Sequence, residues 1–245
     1  MIYVLEVNPR ASRTGPFVAK ATGVPLVKVA VRVMMGHSLA AMRAEGLVGV
    51  ETPRPKYVSV KEAVLPFNRF PNVDIVLGPE MRSTGEVMGI GESFGIAFAK
   101  SQLAAGLRLP SAGQVFFSLA DRDKAAGLVL ARQLRELGFT LAATFGTANY
   151  LEANGVPVET PVGKVGVRDG ASDAVDLIRS GLVQLVINTP SGRGARADGQ
   201  HIRSACTVQN VACLTTLSAG LAAARGIADT AEHGWRVASL QELHA

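Results

Sequence analysis

Aromatic residues are scarce: Phe, Trp and Tyr make up 5% of the 245 residues, with one Trp among them. A core built without them must rely on Val, Leu, Ala and Ile, which suits an α/β sheet covered by Ala-rich helices. Cysteine is scarcer still, at two residues. Cys206 and Cys213 make no disulfide framework and no C-x-x-C metal spacing, so they read as buried apolar residues of a reducing cytosol. No apolar run approaches the length of a membrane span, and the N-terminus lacks the basic region, apolar core and small-residue cleavage site of a signal peptide. The expectation is a cytoplasmic protein with no membrane partner. Runs of five or more like charges are also missing. The formal charge of +5 and the pI near 9.5 therefore come from scattered Lys and Arg, which argues against nucleic acid and fits small phosphorylated ligands.

At 48% hydrophobic, the chain can bury a full core in one large domain or two small ones. Its second half alternates regularly. Strands are predicted over 114–119, 139–145, 156–159, 182–188 and 211–216, and helices over 124–137, 147–154, 172–180, up to 209 and from about 219. Such alternation calls for a doubly wound parallel five-stranded sheet, with residues 235–245 adding a short edge strand and a final turn. The stretch Gly138 to Ala148 organises this half, because an apolar strand runs into a Thr-Phe-Gly-Thr turn and then a helix. In an open parallel sheet, ligands bind beyond the strand C-termini, where loop amides and helix N-termini converge on an anion.

Lys124, Thr144, Thr147, Lys164, Asn188, Thr189 and Ser191 all fall at strand ends or helix starts, the groups a phosphate monoester needs. Thr144 and Thr147 could equally cap the helix. The loop 188–196 is rich in glycine and basic residues but is no P-loop.

The first half starts with a predicted strand, Met1 to Val7, followed by a polar turn and a helix over 16–33 interrupted at Gly23 and Pro25. Glu6 and Asn8 share one face of the strand end and Arg10 follows. Two oxygen ligands and a guanidinium make a Mg²⁺-and-phosphate clamp, although a solvated strand end would look the same. A short helix is read within 36–46, a strand over 57–67 and a helix over 93–105. Gly89-Ile90-Gly91-Glu92-Ser93-Phe94-Gly95 misses G-x-G-x-x-G by one position and is no dinucleotide loop. Residues 106–113 have linker composition, which puts a domain boundary there and divides the chain into 1–106 and 107–245.

The segment Glu6-Val7-Asn8-Pro9-Arg10-Ala11-Ser12-Arg13-Thr14, with Pro16-Phe17-Val18 and Lys20-Ala21-Thr22-Gly23, resembles the closing part of the second ATP-grasp domain in the carbamoyl-phosphate synthase large-subunit family. Residues 77–89 resemble the same family, and there the expectation is an architectural role with Arg82 paired to Glu80 or Glu86. Residues 107–245 resemble its methylglyoxal-synthase-like regulatory domain. The resemblance implies an incomplete α+β ATP-grasp segment followed by an allosteric domain. It implies Glu6 and Asn8 as ligands of Mg²⁺ or Mn²⁺, Arg10 against the ATP phosphates with a catalytic role, and Lys124, Thr144, Thr147, Lys164 and Asn188 around a uridine or inosine monophosphate.

Pro190 departs from members that carry Thr there, and Cys213 and Leu214 replace a Tyr-Asp pair, which disfavours an amine activator at Glu62. The implied whole is an ATP-dependent ligase of pyrimidine and arginine synthesis, working with a glutaminase small subunit and the rest of the large subunit. This piece alone is expected to be incompetent. The alternatives are a stand-alone nucleotide sensor of a split synthase and a methylglyoxal-synthase-type lyase. The lyase needs a carboxylate base at the phosphate site, for which Glu159 is the available substitute.

Overall fold

The structure, a computed structural model, describes residues 3–4, 7–51, 55–69, 75–76, 81–163, 173–189 and 194–244. The first segment opens with α1 (Thr14–Thr22) and α2 (Leu26–Met34). The break between them falls where the sequence puts it. Gly23 closes α1 in the left-handed region at φ 74°, and Pro25 stands at the start of α2. A short helix α3 (Leu39–Ala44) follows, with Ser38 accepting from the Ala41 amide at 3.1 Å. Strands β1 (Val58–Val64) and β2 (Gly85–Gly91) then pair antiparallel, and α4 (Phe94–Ala104) packs on them.

The glycines that mimic a dinucleotide loop have a packing role. A Cβ on Gly89 would stand 2.0 Å from the Ala97 carbonyl oxygen, and one on Gly91 would stand 2.8 Å from the Ala97 nitrogen. Only hydrogen atoms let α4 lie this close.

The second half carries β3 (Gln114–Ser118), α5 (Lys124–Glu136), β4 (Thr140–Thr144), α6 (Phe145–Ala153), β5 (Thr160–Val162), α7 (Ala174–Arg179), β6 (Val183–Asn188), α8 (Gly194–Gln209), β7 (Ala212–Leu214), α9 (Leu217–His233) and α10 (Leu240–His244). Five parallel strands in the order β5-β4-β3-β6-β7 form one sheet. Side chains alternate between its faces. Val115, Phe117, Leu141, Ala143, Leu185 and Ile187 pack with α5, α6 and α9, whereas Phe116, Ala142, Val162 and Val186 pack with α7 and α8. Both faces are covered, as expected for a doubly wound sheet. Since β4 and β5 build outward on one side of β3, and β6 and β7 on the other, the strand order reverses between β3 and β6.

Several expectations are corrected. Of the strand expected over 1–7, Met1, Ile2, Leu5 and Glu6 lie outside the described residues; Tyr3, Val4 and Val7 are in no strand and stand 76–79% exposed, with no ladder partner among the described residues. The third strand of the sheet occupies 160–162 instead of 156–159. Val156 and Val158 are buried from irregular backbone: the Val156 amide closes α6 on the Leu151 carbonyl, and the ladder starts only at Ala142 opposite Thr160. Residues 235–244 add no strand. The sequence Ser239-Leu240-Gln241-Glu242 is a capping box that opens α10: the Ser239 amide donates to Glu242 at 2.6 Å and the Glu242 amide to Ser239 at 3.2 Å. Glu86 pairs with Arg13 at 3.5 Å and Lys61 at 3.3 Å, and the other acid named for Arg82, Glu80, lies outside the described residues.

The linker residues 106–113 do not separate two isolated bodies. Phe98 of α4 joins the cluster formed by β3, β4, β6, α5 and α9. At the crossing of α4 and α9, a Cβ on Gly95 would stand 2.6 Å from the Arg225 carbonyl oxygen. Asp229, 3% exposed on α9, accepts from the Ser93 hydroxyl at 2.5 Å and pairs with Arg225 at 2.8 Å. Ser93 also caps α4 by accepting from the Ile96 amide at 3.2 Å.

Candidate functional site

The C-terminal ends of β3, β4 and β6 are tied together by side chains of the predicted set. Thr147, 1% exposed in the first turn of α6, accepts from the Leu119 amide at 3.1 Å, and the Thr144 hydroxyl donates to it at 3.2 Å. Thr189 accepts from the Ala120 amide at 2.9 Å, and its own amide donates to the Ser118 carbonyl at 3.0 Å. Ser118 stands opposite Asn188 in the ladder. The rim therefore lies at the reversal of strand order, where loop hydroxyls and a helix start converge.

Thr144 takes the N-cap position of α6 but makes no side-chain cap bond. The simple capping reading fails for it, and the α6 amides beyond exposed Phe145 and Gly146 keep their donor capacity. Lys124 brings a cation to this helix start: a Cβ on Gly146 would lie 3.8 Å from its Nζ, which also sits 5.9 Å from the Tyr150 ring centre. Its counterion is Asp121 at 2.7 Å, whose side chain is 95% exposed, so an incoming anion competes only with a solvated carboxylate. Asn188 closes the far side at 3% exposure. Its Oδ1 accepts from Arg203 Nη1 of α8 at 2.7 Å.

Arg203 is the residue that strand-end reasoning missed. It is fully buried and has the largest side chain of any fully buried residue. The available signal was helical phase: it sits next to Ile202 and three residues before Cys206, both on the inward stripe of α8.

Other predicted residues stand apart from this rim. Lys164, Ser191 and Glu6 lie outside the described residues. Asn8 and Arg10 are exposed in the first segment, and Arg10 donates to the neighbouring Ala11 carbonyl at 3.3 Å. Glu62 accepts from Gln102 at 2.8 Å. Glu159 is ruled out as a base at the rim by position and by chemistry. It binds the Leu141 amide at 2.8 Å and pairs with Arg135, both at the opposite end of β4 from Thr144. Burial pushes its carboxyl up, but the Leu141 amide and Arg135 outweigh that and hold it below the usual range, fixed as a carboxylate.

The hydrogen bond with the Cys213 thiol alongside, and then burial, push Cys206 up, which makes it an unreactive core residue. A cavity of about 1000 Å³ lies away from the rim, bordered by α1, β2, α4 and the C-terminal tail, and its Arg13 and Lys61 are already paired to Glu86. Among the described residues no helix is long and apolar enough to cross a membrane, and no group of three His, Cys, Asp or Glu could hold a metal.

A family model described as the MGS-like domain matches residues 127–215, within the half that carries the five-stranded parallel sheet. A second family, the ATP binding domain of the carbamoyl-phosphate synthase L chain, matches residues 1–42. Whole-chain likeness names the relatives. The chain is 52% identical over 244 residues to the carbamoyl phosphate synthase large chain of Rhodopirellula baltica, 51% over 245 to that of Acidobacterium capsulatum and 49% over 258 to that of Mycobacterium tuberculosis. Each alignment covers 100% of this chain but only 22–23% of the relative. The resemblance to carbamoyl phosphate synthase large chains thus runs the whole length of this chain, which spans about a fifth of theirs.

Proposed function

We propose that residues 107–245 act as a nucleotide-monophosphate regulatory domain of a glutamine-dependent carbamoyl-phosphate synthase, and that residues 1–106 supply the last part of its carbamoyl-phosphate-forming ATP-grasp domain. The observation that carries the reading is the convergence of Lys124, Thr144, Thr147 and Asn188 on one rim around an α6 start without a side-chain cap. A phosphate monoester fits there through the helix amides, the Thr144 hydroxyl and the Lys124 ammonium, with uridine or inosine monophosphate as the ligand class. The fixed carboxylate of Glu159 at the wrong end of β4 disfavours a lyase at this rim.

In the first segment, the Asn8 amide oxygen and the Arg10 guanidinium suit a hard cation and a phosphate respectively, and both residues are exposed. Together with Glu6 they offer two oxygen-bearing side chains, well short of the about six ligands that Mg²⁺ takes. The remaining ligands, the nucleotide grip, ammonia from a glutaminase subunit and catalysis itself would come from outside these residues. When bound, the metal would neutralise charge on the ATP phosphates, and Arg10 would hold them.

A thermal-shift titration with uridine and inosine monophosphates, on wild type and Thr144→Ala, tests the regulatory reading. At a hundredfold excess over Kd, a bound nucleotide stabilises by about 2.7 kcal/mol, a shift of several degrees that Thr144→Ala should reduce. No shift with either nucleotide would overturn it. ATP turnover by the purified chain, abolished by Glu6→Ala, would refute its dependence on further sequence.

A further inference from the structure

We infer that Arg203 is a positioning residue of the rim: it turns the Asn188 amide so that the NH₂ group, and never the carbonyl oxygen, faces the ligand. This rests on the rim being an anion site, and it says which edge of the ligand the rim can take. A guanidinium carries only donors, so the Asn188 atom that meets Arg203 Nη1 at 2.7 Å must be the carbonyl oxygen. The usual ambiguity between the two ends of an amide is thereby removed. Among the described residues the NH₂ has no acceptor. It sits at the last residue of β6, opposite Ser118 and one position before the Thr189 tie to β3.

Arg203 itself is fully buried, so it acts through Asn188 and not by touching a ligand. The contact is pressed shut by Gly199 on the previous turn of α8. A Cβ there would stand 2.5 Å from Arg203 Nη1 and 3.1 Å from Asn188 Oδ1. Three residues on two elements therefore fix one amide plane. The rim then presents donors on both sides, an ammonium and helix amides on the α6 side and an amide NH₂ on the β6 side. A ligand must bring acceptors to each, as a phosphate or a nucleobase carbonyl does, and an amino edge directed at Asn188 is rejected.

The test is isothermal titration of the full chain with uridine monophosphate, run on wild type, Asn188→Asp, Gly199→Ala, Arg203→Met and Arg203→Lys, with melting temperature recorded for each. Asn188→Asp keeps the acceptor for Arg203 but replaces the donor with a second oxygen. It should melt no lower than wild type and yet bind at least about tenfold more weakly. Gly199→Ala and Arg203→Met free the amide and should weaken binding several-fold. Arg203→Lys retains a donor and should recover part of the affinity, which a purely structural role would not predict. If Asn188→Asp binds within about twofold of a wild type that does bind, the inference is overturned while the rim site stands. If wild type itself does not bind, the anion site and this inference both fall. Should Arg203→Met not fold, Asn188→Asp and Gly199→Ala still decide the matter.

Discussion

Two amphipathic helices of similar apolar periodicity meet opposite fates. On α5, Leu130 and Leu134 are fully buried against the sheet. On α2, Val27, Val31 and Met34 stand 57%, 53% and 84% exposed, and none of its residues is buried. An apolar stripe states which face a helix can bury, whereas burial needs a complementary surface. The 107–245 region supplies that surface with its own sheet, so its helices and core are mutually satisfied. Among the described residues, the first segment has only a two-stranded sheet, which α4 covers. Its secure part is therefore the part tied to α9, and α1 and α2 carry little of the stability.

The sharpest way to break this contrast is to remove an apolar side chain from each region. Phe116→Ala empties a fully buried site between β3 and the α7–α8 layer and should cost about 3–5 kcal/mol in urea unfolding. Val31→Ala on α2 should stay within about 0.5 kcal/mol. A comparable loss from Val31→Ala would mean that α2 is a working part of the fold. Gly89→Ala sharpens the point within the first segment. Its methyl would meet the Ala97 carbonyl at 2.0 Å, so β2 and α4 must separate, with an expected loss of about 1–3 kcal/mol. Asp229→Ala probes the junction. It removes the acceptor of the half-buried Ser93 hydroxyl and the partner of Arg225, for about 1–2 kcal/mol, and should raise amide exchange in α4 before exchange in α5. Equal exchange changes in both helices would show that the regions open as one unit.

Legibility follows the same division. The strands of the large sheet were readable because apolar runs buried on both faces are bounded by turn residues, as in Val183–Asn188 between Gly181 and the following loop. The rim was readable in outline because parallel topology puts all strand C-termini on one side, and Lys124, Thr144, Thr147 and Asn188 do lie there. The position of β5 was not readable: Val156 and Val158 look like strand residues, and only the ladder partner, Leu141 or Ala142, decides where pairing starts. Tyr3, Val4 and Val7 look like strand residues but are exposed outside any strand, because pairing is a tertiary fact that no local pattern contains. The Ser239–Glu242 capping box was visible in the residues and outweighed the β-propensity of Trp235 and Val237. Arg203 escaped because a charged residue in a helix is ordinarily solvated, and its burial goes with Asn188 facing it from β6 and Gly199 leaving room on the previous turn.

The smallest expected effect is electrostatic, and it tests whether the large sheet depends on its ion pairs or only on its core. Glu159 ties the start of β4 to α5 through the Leu141 amide and Arg135. Burial works against its charge, but the hydrogen bonds prevail and the folded carboxyl titrates below its unfolded value. A depressed carboxylate contributes stability that is fully present above the unfolded pKa, about 4.3, and is lost as pH falls through the lower folded value. Glu159→Gln should therefore destabilise at neutral pH by less than about 1 kcal/mol, since the side chain is 39% exposed and solvent screens the pair. The gap between variant and wild type should close on acidification below the usual carboxylate range, as followed by urea midpoints across about pH 2.5–7. A gap that stays constant with pH would assign the loss to the Leu141 hydrogen bond alone. The sheet would then owe its margin over the first segment to packing, with charge contributing nothing measurable.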